Sequence, residues 1–242
     1  EGDMPTFRIY DASEDMIYYA HPSENHPFET NQVFFVDTVE GQLEYDLILD
    51  DDVSLVSFYT LPEESSIENI VGECENIYAT LAEGMAAVCL DGQWIGTLTE
   101  FDLENGYWLL VNDPPVTLSG IGTSYDLGRV YDLSYGPNLI SYPALGSSDI
   151  SASIPNNVEE LFLAILGEGN ATMNTGSNWA GSLTSFDEGN GYWAVVSENL
   201  SFSYETGGMA RAEIRPYIET QPSADIYKVF SSPNQAFYFV GE

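Results

Sequence analysis

The sequence repeats itself, and this internal repeat is the feature that most restricts the fold. Four blocks recur in one order, the first at an offset of 84 residues and the other three at 85. The matched pairs are Leu55–Tyr59 with Leu139–Pro143, Ala82–Gly84 with Gly167–Gly169, Trp94–Asp102 with Trp179–Asp187, and Asn105–Val111 with Asn190–Val196. Repeated sequence indicates repeated structure. We therefore expect two copies of one unit, at residues 46–130 and 131–220, with the same strand order.

Each copy is predicted to consist mostly of strands. Its apolar runs are short, rich in β-branched and aromatic residues, and bounded by Gly, Pro or Asn. Strands are expected at 77–82 and 161–166, with a hairpin turn at Asp91-Gly92. One short helix is expected in each copy, at about 66–74 and about 148–154.

The segments outside the repeat are also rich in strand-forming residues. Residues 1–45 contain three aromatic-rich runs and are predicted to be a partial β-sandwich-like module. Residues 221–242 are predicted to be a linker followed by a C-terminal strand. We expect residues 234–242 to complete the N-terminal module of their own chain or of a neighbour. The predicted fold class is mainly β.

The chain is strongly acidic, because 39 Asp and Glu residues against 5 Lys and Arg give a net charge of −34. Nucleic acids and anionic lipids both recruit basic residues, so neither partner is expected. No apolar run approaches the roughly 20 residues that span a bilayer, so no membrane insertion is expected. Copies of such a chain repel each other at low salt, and we expect salt or calcium to stabilise it. A plain solvated acidic surface, with no specific dependence on salt or calcium, is the favoured interpretation of this charge.

The recurring blocks resemble a β-rich repeat that occurs in tandem in large secreted proteins of marine and sediment bacteria. The resemblance rests on Asn138–Pro143 and on the Trp-x-Gly-x-Leu and Asn-Gly-Tyr-Trp-x-x-Val blocks, and it covers residues 46–205. The first copy departs from the pattern at its first turn, Asp52-Val53-Ser54. Asn234–Phe239 and Pro5–Asp11 are similar to the first strand and a late strand of an adjoining β-sandwich module. The resemblance implies an extracellular or cell-surface location and supplies no catalytic residue.

Two cysteines, Cys74 and Cys89, lie 15 residues apart in the first copy. An even pair in an exported protein is normally a disulfide, so the implied location predicts a bridge between them. Two free buried thiols are the alternative. The second copy has no cysteine, so the fold of the unit does not require the bridge.

Candidate ligands and catalytic groups are few. Asp50, Asp51 and Asp52 could bind calcium, but a solvated acidic linker is the favoured interpretation. His21 and His26, the only histidines, could bind zinc with neighbouring glutamates, but a solvated loop is the favoured interpretation. No catalytic motif is present, so we expect no enzymatic activity and no required cofactor. A polysaccharide hydrolase is the least favoured class.

Aromatic residues recur at matching positions and are predicted to form the core of each copy. They are Trp94, Trp108, Trp179, Trp193, Tyr107 and Tyr192. A glycan-binding platform is the alternative for the tryptophans.

The predicted function is an extracellular structural protein that assembles head to tail into a filament or surface matrix. The C-terminal strand is expected to add to a strand edge of a neighbouring copy, since unpaired edges accept further strands. The donated strand is Gln235, Ala236, Phe237, Tyr238, Phe239 and Val240, and the receiving edge is Thr6, Phe7, Arg8, Ile9 and Tyr10. The alternative is a calcium- or glycan-dependent adhesion module from a longer cell-surface protein.

Overall fold

The chain divides into two compact units, of which one contains the recurring blocks of both repeats. A computed structural model describes residues 2–11, 16–72, 74, 76–122, 128–205 and 237–240. One unit comprises Glu1–Leu43 with Glu213–Glu242, and the other comprises Glu44–Ala212. Strands are the main secondary structure and the helices are short, so the predicted mainly β fold class is confirmed.

The N-terminal segment of the first unit is a set of short strands. β1 (Phe7–Asp11) pairs antiparallel with β2 (Met16–Pro22), which pairs with the start of β4 (Val39–Leu49). β3 (Val33–Val36) pairs in parallel with β20 (Phe237–Val240), the last described strand. This pairing joins segments about 200 residues apart in sequence. A distant partner is consistent with parallel pairing, because parallel strands cannot be connected by a tight turn. The sandwich-like character of this module stays a prediction.

The first repeat is built around a five-stranded antiparallel sheet. Its strands are β5 (Val53–Ser57), β6 (Ile77–Ala82), β7 (Met85–Leu90), β8 (Gln93–Gly96) and β9 (Gly106–Val111). They lie in the order β5-β9-β6-β7-β8. A further strand, β10 (Val116–Gly122), is hydrogen-bonded to β4.

The second repeat has the same sheet. Its strands are β11 (Tyr131–Leu133), β12 (Gly136–Ile140), β13 (Ser147–Asp149), β14 (Phe162–Leu166), β15 (Ala171–Asn174), β16 (Trp179–Gly181), β17 (Ser185–Asp187), β18 (Tyr192–Val196) and β19 (Leu200–Phe202). The five-stranded sheet has the order β12-β18-β14-β15-β16, and β11–β19 and β13–β17 form separate pairs. Equivalent strands therefore occupy equivalent places in the two five-stranded sheets.

Among the described residues, each repeat contains one short α-helix close to its predicted place. α1 (Ile67–Val71) begins after Ser66, whose hydroxyl accepts the backbone N–H of Asn69 at 3.3 Å. α2 (Ile150–Ser153) ends before Pro155, and the residue preceding a proline is restricted to extended backbone. A single 3-10 turn, Glu159–Leu161, follows in the second repeat.

The two repeats build their cores from the same aromatic pair. In the first, the rings of Phe101 and Tyr107 meet edge to face with centroids 4.7 Å apart, and in the second Phe186 and Tyr192 do so at 4.9 Å. All four rings are buried. Each tyrosine hydroxyl also accepts the backbone N–H of the aspartate that follows the phenylalanine, at 2.7 Å in both repeats. Burial of each phenol is therefore accompanied by a hydrogen bond.

Candidate functional site

The recurring tyrosines are core residues, whereas two of the recurring tryptophans are not. Tyr107 and Tyr192 are each 1% exposed. Trp108 and Trp193 follow them in the strands and are half-buried. Successive side chains of a strand point to opposite faces, so a core tyrosine places the next tryptophan on the outer face. The prediction that Trp108 and Trp193 belong to the core is wrong.

The other two tryptophans, Trp94 and Trp179, pack against the margin of each core. The indole N–H of Trp94 donates to the carbonyl oxygen of Gly72 at 3.2 Å. The indole N–H of Trp179 donates to the carboxylate of Glu159 at 2.7 Å. Both rings are thus held by a hydrogen bond as well as by packing, and glycan binding at the tryptophans stays a prediction.

The disulfide joins the turn between α1 and β6 to strand β7 in the first repeat. Cys74 and Cys89 are bonded with their Cα atoms 5.9 Å apart, which confirms the predicted bridge. At the offset of 85, the equivalent residues of the second repeat are Glu159 and Asn174. The Asn174 side-chain amide donates to the Glu159 carbonyl oxygen at 2.9 Å. A hydrogen bond therefore connects in one repeat the two positions that a covalent bond connects in the other.

The two repeats contact each other through reciprocal hydrogen bonds. The carboxylate of Glu83, in the turn after β6, accepts the backbone N–H of Leu139 at 3.0 Å. The carboxylate of Glu168, in the equivalent turn after β14, accepts the backbone N–H of Leu55 at 2.8 Å. Leu55 and Leu139 are also equivalent residues. The contact thus has the self-complementary form of a two-fold interface, here between two halves of one chain.

A second reciprocal pair of hydrogen bonds lies beside the first. The backbone N–H of Ser57 donates to the carbonyl oxygen of Gly189 at 2.8 Å, and that of Ser141 donates to Glu104 at 2.9 Å. Ser57 is equivalent to Ser141, and Gly189 is equivalent to Glu104. The edge strand of each repeat is therefore anchored on the turn that precedes the Tyr-Trp strand of the other.

The glycine of each Asn-Gly-Tyr-Trp block lies at a close approach between the repeats. A Cβ atom at Gly106 would lie 3.0 Å from the Ile140 carbonyl oxygen, and one at Gly191 would lie 2.6 Å from the Val56 carbonyl oxygen. Side chains at these positions would separate the two repeats. The recurring glycine is thus explained by contact between the repeats.

We expect Gly191→Ala to lower the free energy of unfolding by about 1–3 kcal/mol, because the new methyl group overpacks the interface against backbone. Urea unfolding followed by circular dichroism measures this change. Gly106→Ala is the matched control at the equivalent position, where the looser contact predicts a smaller loss. Equal stability of Gly191→Ala and the parent protein would contradict this account of the interface.

The predicted calcium ligands lie on the surface. Asp50, Asp51 and Asp52 are exposed in the connection between β4 and β5. Among the described residues, no group of three or more His, Cys, Asp or Glu side chains lies close enough to hold a metal ion. Calcium binding at the three aspartates stays a prediction.

The histidine-containing loop is held by other contacts. The carboxylate of Glu24 accepts the Ser23 hydroxyl at 2.7 Å and the backbone N–H of Asp37 at 3.3 Å. These hydrogen bonds, that of Ser23 first, lower the pKa of Glu24. The ring of His26 stacks on Phe34 with centroids 5.0 Å apart. Glu24 and His26 are therefore engaged within the loop.

The donated strand and its predicted receiver are placed differently by the structure. Phe237–Val240 forms β20, while Gln235 and Ala236 lie outside the described residues. β20 pairs with β3, and Phe7–Asp11 pairs with β2 instead. The strand that receives β20 is therefore Val33–Val36 and not Thr6–Tyr10. Sequence could not choose between them, because both are short and rich in aromatic residues.

No protein-family model matches the chain, and neither a curated protein nor a solved structure matches it. In the part of the chain that the structure describes, no helix is long and apolar enough to cross a membrane. Two features are the functional candidates. One is the pairing of β3 with β20, and the other is the sheet surface of each repeat that is continuous with the contact between the repeats.

Proposed function

We propose that the protein is an extracellular structural protein without catalytic activity, whose copies join head to tail by exchanging β20. The observation that carries this proposal is the parallel pairing of β20 with β3. It extends over four residue pairs, from Phe237 with Val33 to Val240 with Val36.

The position of this pairing in the chain favours exchange. The unit that contains it is made from both ends of the sequence, and the unit with the repeats lies between those ends in sequence. A strand from a second copy can make the same four pairs, because main-chain hydrogen bonds and side-chain pockets do not depend on which chain supplies the strand. Exchange of this kind is a low-cost route to oligomers, and in head-to-tail form it gives a ring or a filament.

An extracellular setting is supported by two independent properties. The Cys74–Cys89 bridge is of a kind that persists in oxidising compartments. The net charge of −34 makes copies of the chain repel, and a saline exterior near 1 M would shorten the range of that repulsion to about 3 Å, from about 8 Å at ordinary physiological ionic strength. The resemblance of the repeat to secreted bacterial proteins implies the same location.

Cross-linking tests the exchange directly. Val33→Cys is placed in one full-length chain and Phe237→Cys in a second chain that carries a size tag, and the two are refolded together. A short bismaleimide reagent, which does not react with the native disulfide, then joins register partners only. We expect a tagged–untagged covalent dimer on a denaturing gel. A chain that carries both substitutions should give a ladder of multimers.

The control and the contradictory outcome are equally specific. Val240→Cys in place of Phe237→Cys puts the thiol three positions out of register with Val33, and its cross-linking should be much weaker. Cross-links confined to single chains in the double variant, with no mixed dimer, would overturn the exchange. If such a monomer bound a glycan array in the presence of calcium, the adhesion alternative would replace the structural role.

A further inference from the structure

We infer that the uncharged outer face of the first repeat's five-stranded sheet is a docking surface for a second copy of this chain. This contact is additional to the exchange of β20 and uses a different unit of the protein.

The face is defined by strand register. Trp108 on β9 lies opposite Leu81 on β6, and Val88 on β7 lies opposite Ile95 on β8. Side chains alternate, so these residues share the face that points away from the Tyr107 core. No position on this face carries a charged side chain, although the chain has 39 acidic residues. The whole face is therefore uncharged, and its apolar character does not depend on one exposed residue.

Much of this surface is open to solvent. Val88 is 41% exposed, Leu90 is 55% exposed and Ile95 is 53% exposed. The equivalent face of the second repeat is also uncharged, and its Met173 is 63% exposed. Contiguous apolar patches on proteins commonly mark interaction sites. Its presence in both copies makes the uncharged face a property of the repeat.

The chain itself indicates what covers such a face. Leu55 belongs to the outer face, since it lies opposite Trp108, yet it is only 2% exposed. It lies at the contact with the other repeat, where its backbone N–H reaches Glu168 and its side chain approaches Gly191. The exposed part of the face continues from this contact through Trp108. The uncovered surface is thus contiguous with one that already binds a copy of the same unit.

Charge favours the same occupant. Two chains of net charge −34 repel each other over most of their surfaces, and an uncharged face is where they can approach with the least repulsion. Salt screens the remaining repulsion and also strengthens apolar contacts when the anion is sulfate or phosphate. Association through this face should therefore increase with salt.

Analytical ultracentrifugation of the full chain tests the inference. In 0.5 M sodium sulfate, the weight-average mass of the parent protein should rise with concentration. Ile95→Glu, alone and with Leu90→Glu, should weaken this association about tenfold or more, because like charges would face each other across the contact. Thr117→Glu, which adds the same charge at an exposed residue of β10, a strand outside this five-stranded sheet, should leave it unchanged within about twofold. Thermal melting of each variant verifies that it is folded.

Two outcomes would overturn the inference: a parent protein that stays a single chain at every salt concentration, or an association that Ile95→Glu leaves as strong as Thr117→Glu does. Its failure can be distinguished from failure of the strand exchange. The Val33–Phe237 cross-link reports exchange alone and should be unaffected by Ile95→Glu. Loss of that cross-link with salt-dependent association intact would remove the exchange and keep the docking face.

Discussion

The folded protein is expected to lose its stability steeply above about pH 10, the ordinary pKa of tyrosine, because it buries several phenol groups that must remain protonated. In the repeat-containing unit, five tyrosines that are 4% exposed or less have a raised pKa: Tyr45, Tyr107, Tyr131, Tyr192 and Tyr204. Burial is the principal cause that raises the pKa of each. It raises the pKa of Tyr45 to about 12, and Asp102 adds a further increase at Tyr107.

The sign of the effect follows from proton linkage. A group whose pKa is higher in the folded protein contributes stability that is fully present below its unfolded pKa and is lost as the pH rises through its folded pKa. Above about pH 10 each such tyrosine lowers the free energy of unfolding by about 1.4 kcal/mol per pH unit, so five lower it by about 7 kcal/mol per pH unit. A typical domain stability of about 5–15 kcal/mol would be removed within about two pH units.

Circular dichroism and tyrosinate absorbance, recorded together against pH, measure this transition. We expect the buried tyrosines to ionise cooperatively as the sheet structure is lost. Tyr45→Phe tests the contribution of a single buried phenol most directly, because burial is the sole cause that raises the pKa of Tyr45. It should make the dependence on pH shallower by about 1.4 kcal/mol per pH unit. Gradual ionisation of every tyrosine with the circular dichroism signal unchanged would contradict the prediction.

Removal of the disulfide is expected to lower the free energy of unfolding by about 3 kcal/mol, the chain-entropy value for a loop of about 15 residues. The double variant Cys74→Ser with Cys89→Ser tests this in urea unfolding. Asn174→Ala is the matched control, because Asn174 makes the equivalent connection in the second repeat through one hydrogen bond. Its loss should be smaller, about 1 kcal/mol.

A second double variant tests whether a hydrogen bond can replace the disulfide at these two positions. Cys74→Glu with Cys89→Asn places in the first repeat the two residues that the second repeat uses. We expect this variant to be more stable than the double serine variant and less stable than the parent protein. If the double serine variant unfolds at the same urea concentration as the parent protein, the bridge contributes nothing to stability.

The sequence by itself predicted the elements whose signals are local. The strand at 77–82 and the helices near 66–74 and 148–154 follow from short apolar runs and capping residues, and each is present. Asp91 and Gly92 adopt φ angles of 52° and 79°, as the hairpin pattern requires. The repeat allowed one prediction beyond local structure. Two similar sequences should have the same strand order, although the sequence does not show what that order is.

The tertiary structure decided which face of each strand is buried. Tyr107 and Trp108 are both large and aromatic. The sequence therefore shows that they lie on opposite faces of the strand, but not which of the two faces the core. Packing of Tyr107 on Phe101 settles that direction and leaves Trp108 outside. The choice of β3 over β1 as the partner of β20 is of the same kind. Strands that are distant in sequence pair according to how well their whole surfaces fit together. A short stretch of sequence does not contain that information.

The recurring glycines show the same division between sequence and tertiary structure. The sequence indicated that a glycine recurs in each Trp-x-Gly block, but its reason lies in a neighbouring strand. A Cβ atom at Gly96 would lie 2.0 Å from the Ala86 carbonyl oxygen, and one at Gly181 would lie 2.1 Å from that of Ala171. Local pattern thus determined where the strands and turns lie, because backbone preferences act over a few residues. Which backbones approach each other was decided only by packing in three dimensions, because that depends on residues far apart in the chain.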